Sequence, residues 1–156
     1  MAQGLAEGSK LPPFTLPGDG GVEISLADFK GRKLVIFFYP KADTDGCTRE
    51  AKDFSRLASA FAKAGTSVLG ISADPVKKLD RFKEKHGLTV PLASDESTKT
   101  LQAYGVWAEK SMYGRKFMGI VRTTMLIGKD GRIARIWPKV KVEGHADEVL
   151  TAAKAL

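Results

Sequence analysis

Residues 33–39, KLVIFFY, place the tightest constraint on this chain. A run of β-branched and aromatic side chains with no polar alternation suits a strand buried on both faces, and such a strand needs a layer of structure on each side. Leu34 to Tyr39 is also the longest uninterrupted apolar run, far short of the roughly 20 residues that a membrane span needs.

The segments after this strand set the order of layers. Beyond the turn-rich PKADTDG, residues Cys47, Ala51, Phe54, Leu57, Ala58, Phe61 and Ala62 recur at helical spacing and stop at Gly65. A second buried-type strand is predicted over 67–72, then a charged amphipathic helix over 76–86 ended by Gly87. A short strand over 90–93 and a helix over 98–104 come next. VRTTMLI (121–127) and RIARIW (132–137) flank GKDG and read as a β-hairpin, and a last helix begins near His145. This order predicts an α/β fold, a central mixed sheet flanked by helices on both faces. No repeat, low-complexity tract or linker interrupts it, so residues 1–156 read as one domain, with about the first ten residues loosely ordered.

Composition removes whole classes. The start, MAQGLAEGSKLPPF, has no basic segment followed by an apolar one, so no signal peptide is visible and a cytoplasmic location is expected. With a single cysteine, Cys47, the chain can form no intrachain disulfide and no multi-cysteine zinc site. The formal charge of +7 is spread among interleaved acidic residues, without an arm or an aromatic RNA-binding signature. It reads as a solvated basic surface, and neither nucleic acid nor membrane is an expected partner.

Cys47 stands where a strand has ended, a turn intervenes and a helix begins. In a first helical turn, free backbone N–H groups and the positive end of the helix dipole favour thiolate over thiol, which makes the sulfur a candidate nucleophile. Thr44 offers a hydroxyl three residues earlier, and Pro40 fixes the entering loop. Arg122 enters an otherwise apolar strand, which is costly unless an anion waits for it. That anion is either the Cys47 thiolate or a carboxylate at the strand end.

FYPKADTDGCTRE resembles the peroxiredoxin signature Pro-x-x-x-Thr-x-x-Cys, through Pro40, Thr44 and Cys47. GISADP (70–75), YGRKFMGI (113–120) with Arg122-Thr-Thr, and KVEGH (141–145) are similar to the bacterioferritin comigratory protein (PrxQ) group, so the likeness spans nearly the whole chain. The resemblance implies a thioredoxin-like fold and a thiol peroxidase. The Cys47 thiolate would attack a hydroperoxide to give sulfenic acid, with Arg122 and the Cys47 N–H taking up charge, Thr44 orienting the peroxide, and no metal, haem or flavin required. Gly46, Tyr39, Glu50 and Trp107 are the candidate substrate-binding residues. Tyr39 and Trp107, with Phe38 and Met118, form either an apolar collar at the entrance or ordinary core, and Glu50 is expected to support the helix start or Arg122.

Two departures from that pattern bear on mechanism. Where many relatives have a second cysteine, five residues on, this chain has Lys52, about 140° around an ideal helix from Cys47. Its sulfenic acid therefore needs an external thiol: thioredoxin, glutaredoxin or a low-molecular-weight thiol. Asp45 stands where proline is usual, and its repulsion of a thiolate is small if it faces solvent. A monomer is expected. The alternative function is a peroxide sensor or redox-transfer module without efficient turnover. A Cys/His hydrolase is disfavoured because neither His86 nor His145 has a persuasive polar partner in the sequence.

Overall fold

Two short strands come first in the computed structural model, which describes residues 5–156: β1 (Thr15–Pro17) and β2 (Glu23–Ser25), an antiparallel pair. The apolar run forms β3 (Lys33–Phe38), followed by α1 (Asp45–Arg56), α2 (Ala58–Lys63) and β4 (Thr66–Ser72). Then come α3 (Val76–His86), β5 (Leu92–Ser94), α4 (Lys99–Ala103), β6 (Trp107–Met112) and β7 (Arg115–Ile120). The chain closes with β8 (Thr123–Ile127), β9 (Ile133–Trp137) and α5 (His145–Ala155).

The main sheet has the order β5-β4-β3-β8-β9, with β3 at its centre. β3 runs parallel to β4 and antiparallel to β8, so the sheet is mixed, as expected. Alternate side chains of β3 and the residue after it feed two separate cores. Val35, Phe37 and Tyr39 pack with Cys47, Phe54, Phe61, Leu79, Phe82 and Val149 from α1, α2, α3 and α5. Leu34, Ile36 and Phe38 pack on the other face with Leu16, Ile24, Leu101, Tyr104 and Ile120. KLVIFFY is apolar throughout because both of its faces are covered. The second cover is chiefly the β1–β2 hairpin and the short α4, rather than a matching pair of long helices.

The Phe54 ring stacks on Phe37, with centroids 4.7 Å apart and planes 13° apart. This contact seats α1 on β3, and burying such a ring contributes about 1.5–3 kcal/mol. The register sets the rest of the geometry. Phe38 lies opposite Thr123 and Phe37 opposite Thr124, so the residue before β8, Arg122, arrives beside the carboxyl end of β3.

Several expectations need correction. The helix expected from Cys47 to Gly65 starts at Asp45 and breaks at Leu57, whose dihedrals (φ −95°, ψ 3°) leave the helical range. The strand expected over 90–93 is β5 at Leu92–Ser94, since Pro91 cannot donate to the ladder. The β1–β2 and β6–β7 hairpins were not expected at all: their strands are short, or polar on both faces, and carry no clean alternation. Residues 8–11 are paired with the start of β9 and the turn before it. Gly8 N donates to Ile133 O (2.7 Å), Ile133 N to Ser9 O (2.8 Å) and Leu11 N to Gly131 O (3.0 Å), which covers the open edge of β9. Residues 1–4 lie outside the described residues.

Candidate active site

Cys47 is the third residue of α1, 1% exposed, and belongs to the helix-side core. Its amide is among the first four of the helix, which have no intrahelical acceptor. The Arg122 guanidinium lies over the sulfur: Nη2 donates to Cys47 Sγ at 3.3 Å, and Nη1 donates to Glu50 Oε1 at 2.8 Å. The guanidinium thus meets both partners weighed from sequence, a sulfur on one nitrogen and a carboxyl on the other. Gly46 eases the approach, because a Cβ there would sit 3.2 Å from Arg122 Nη2, a tight contact.

Burial governs the charges. Glu50 is 1% exposed, and desolvation raises its carboxyl from 4.5 to about 7 despite the guanidinium beside it. Its Oε2 has no hydrogen-bond partner, as does the Tyr39 hydroxyl, and among the described residues these two are the buried side-chain polar atoms left without one. Burial likewise pushes the Tyr39 phenol well above its ordinary range. For Arg122, burial opposes the charge, yet attraction to Cys47 and Glu50 and the hydrogen bonds to both hold it above its usual value.

The loop before α1 is gripped from two sides, which the sequence did not announce. Beneath it, Asp74 Oδ2 accepts from Ala42 N (2.7 Å) and from Ser72 Oγ (2.9 Å). Outside it, Asp43 accepts from Lys85 Nζ (2.9 Å) and pairs with His86 Nε2 (2.7 Å). These two bonds hold the Asp43 carboxyl below its usual range. Asp43 has φ 62°, a left-handed conformation that aspartate tolerates better than most residues. His86, read as a helix cap, is therefore a loop tether as well. The sign of this grip in the sequence is a polar Ser-Ala-Asp-Pro following an apolar strand.

Pro40, Thr44, Gly46, Cys47, Glu50 and Tyr39 are brought together with Arg122 at the junction of β3 and α1. The Thr44 hydroxyl donates to Lys41 O at 2.8 Å and makes no hydrogen bond to Cys47, leaving its lone pairs to accept. Trp107 is not brought there. It pairs with Ile120 and packs against the opposite core. Asp45 and Lys52 are both exposed, so the Asp45 carboxylate faces solvent as assumed. A cavity of about 730 Å³ is bounded by Asp43, Lys78, Arg81 and Lys85 rather than by Cys47.

Fold and site together define a peroxidase that works through a thiol, built on a thioredoxin-like sheet. The AhpC/TSA family model matches residues 8–136, and the chain belongs to that family, whose peroxiredoxin members are thiol peroxidases. It is 47% identical over 136 residues to the Xanthomonas campestris peroxiredoxin Bcp, covering 87% of this chain and 85% of that protein. It is 43% identical over 147 residues to the Bacillus subtilis peroxiredoxin Bcp, covering 94% of each. A solved structure of X. campestris peroxiredoxin Q superposes with a TM-score of 0.87 at 46% identity, covering 91% of this chain and 90% of that one. Another structural study of that organism's bacterioferritin comigratory protein concerns its alkyl peroxide reduction activity.

Proposed function

We propose that this chain, as a single cytoplasmic domain and a monomer, reduces hydrogen peroxide and small organic hydroperoxides through Cys47, with an external thiol as reductant. The observation that carries the reading is the 3.3 Å contact between Arg122 Nη2 and Cys47 Sγ at the head of α1. The Cys47 thiolate attacks the terminal peroxide oxygen. The S–O bond forms as the O–O bond breaks, and the leaving alkoxide or hydroxide takes a proton, giving alcohol or water. Arg122 and the Cys47 amide face the charge that spreads over both oxygens. Thr44 accepts a hydrogen bond from the incoming hydroperoxide. Pro40 and Tyr39 keep bulk water from the sulfur, and Glu50 holds the second arm of the guanidinium.

The proposed range of substrates draws on the alkyl peroxide activity studied in the X. campestris relative. The external reductant follows from composition, since a chain with one cysteine has no second thiol of its own. The same fact supports the second reading, a sensor that halts as sulfenic acid. Peroxide consumption measured with thioredoxin, glutaredoxin and glutathione in turn separates the two, because one equivalent per chain with every reductant would leave only the sensor. Dimedone should label Cys47 after peroxide treatment and fail to label the Cys47→Ser variant. Labelling that survives this substitution would end both readings.

A further inference from the structure

The large apolar side chains that remain exposed are not scattered. Six are exposed among the described residues, and four of these stand within 112–118: Met112 (58%), Tyr113 (97%), Phe117 (44%) and Met118 (51%). Monomer surfaces rarely gather apolar groups this way without an occupant. All four belong to the β6–β7 ribbon, a two-stranded sheet of its own, apart from the main sheet. Such a ribbon is marginal by itself. Its base is anchored by Ile120, 1% exposed in the second core, and by a hydrogen bond from Val121 N to Val106 O (2.8 Å). Its tip is preset, since Tyr113 (φ 52°) and Gly114 (φ 77°) adopt the left-handed pair that matches strand twist in a two-residue turn.

One face of the ribbon is built as a platform. Lys110 lies opposite Phe117 and Met112 opposite Arg115. Gly119 leaves room beneath them, where a Cβ would meet Lys110 Cδ at 3.0 Å and Phe117 Cε2 at 3.5 Å. Lys110 Nζ ties back to Ile120 O at 2.7 Å, so its stem is held across the strand. Lys110 and Arg115 share this face with Met112 and Phe117, whereas Lys116 and the ribbon's single acidic residue, Glu109, alternate onto the other, and the platform is therefore both apolar and cationic. Two residues past the end of β7 stands Arg122, in contact with the Cys47 sulfur.

We propose that this ribbon is the docking face for the protein that re-reduces Cys47, a dithiol protein presenting apolar side chains rimmed by Asp and Glu. The inference rests on the peroxidase reading above, because turnover is what creates the need for such a partner. One partner thiol condenses with the Cys47 sulfenic acid, forming an S–S bond and releasing water. The second partner thiol displaces Cys47, which leaves as thiol, while the partner leaves as its disulfide carrying the two-electron oxidation. Cys47 is 1% exposed, so the partner has to be held while the first turn of α1 opens. Strands of this length reach about 20 Å, whereas a typical interface of about 800 Å² per partner is roughly 28 Å across. A protein seated on the ribbon therefore extends past its base, where the chain carries Arg122 to the Cys47 sulfur. A small thiol needs no such face.

The test uses the full chain with two variants that both alter the platform face, Met112→Ser with Phe117→Ser, and Arg115→Glu alone. Single-turnover oxidation of Cys47 by hydrogen peroxide should match the parent in both, as should turnover with dithiothreitol. The KM for a reduced bacterial thioredoxin should rise by about tenfold or more in each. Added salt should raise the parent's KM and leave that of the charge-reversed variant nearly level. Sustained parental turnover with an unchanged thioredoxin KM in both variants would overturn the docking face alone. So would turnover with glutathione but not thioredoxin, loss of the single-turnover step in the variants, or parental binding to phosphatidylglycerol vesicles that the variants lose with KM unaltered. A parent that consumes one equivalent of peroxide with every thiol would instead remove the peroxidase reading underneath.

Discussion

Arg122 divides its two arms between a sulfur and a buried carboxyl, and the site's behaviour at residue scale follows from that division. Removing a preorganised donor of this kind costs about 10²-fold in rate, so Arg122→Gln should slow sulfenic acid formation by about that factor in stopped-flow oxidation. Glu50 adds a pH signature. Its carboxyl titrates near 7, so below that pH it is mostly neutral, as Gln is, and Gln keeps an oxygen to accept from Arg122 Nη1. The oxidation rates of the parent and of Glu50→Gln should therefore coincide on the acid side of about pH 7 and diverge on the alkaline side. Profiles that differ by the same factor at every pH would show that charge on Glu50 is not the variable.

At the scale of elements, the site depends on how the loop between β3 and α1 is pinned. Asp74, 8% exposed, holds Ala42 N and the Ser72 hydroxyl, and its loss would leave both without their acceptor. Hydrogen bonds to charged groups contribute about 1.5–3 kcal/mol, so Asp74→Ala should lower the denaturant midpoint by a corresponding amount with the slope unchanged. Peroxide oxidation should slow as well, because the loop that delivers Thr44 and the helix start has lost its floor. Exposed Asp43 with Lys85 and His86 is a second tether, weaker for being in solvent. The pairing of residues 8–11 is decided at this scale too, by hydrogen bonds to Gly131 and Ile133 rather than by propensity.

Across the whole molecule, two buried groups set opposing dependences of stability on pH. The folded state raises Glu50 from 4.5 to about 7, so it holds an extra proton in that interval and stability falls as pH rises through it. His145, bonded through Nε2 to Thr124 Oγ1 at 2.8 Å, is lowered by burial from 6.5 to about 4. There the unfolded chain holds the extra proton, and stability rises with pH over the interval. Denaturant titrations across pH 4.5 to 6.5 should thus show Glu50→Gln gaining on the parent as pH rises, and His145→Gln losing ground. Parallel curves for the parent and both variants would contradict the assignment.

The sequence alone determined the central strand and the placement of Cys47 at a helix start. Each of these is local: a run of apolar side chains, a spacing of three and four, or a turn before a periodic segment carries its own physics. Arg122 was legible as a charge needing an anion, although both candidates stayed open. Only the tertiary structure decided that it serves both, because the register of β8 against β3 brings residue 122 to residues 47 and 50. The same holds for Asp74 under the loop, for Trp107 on the far core, and for the pairing of residues 8–11 along β9. Such contacts join residues tens of positions apart, and burial, which sets the charge state of Glu50, exists only once the layers have closed.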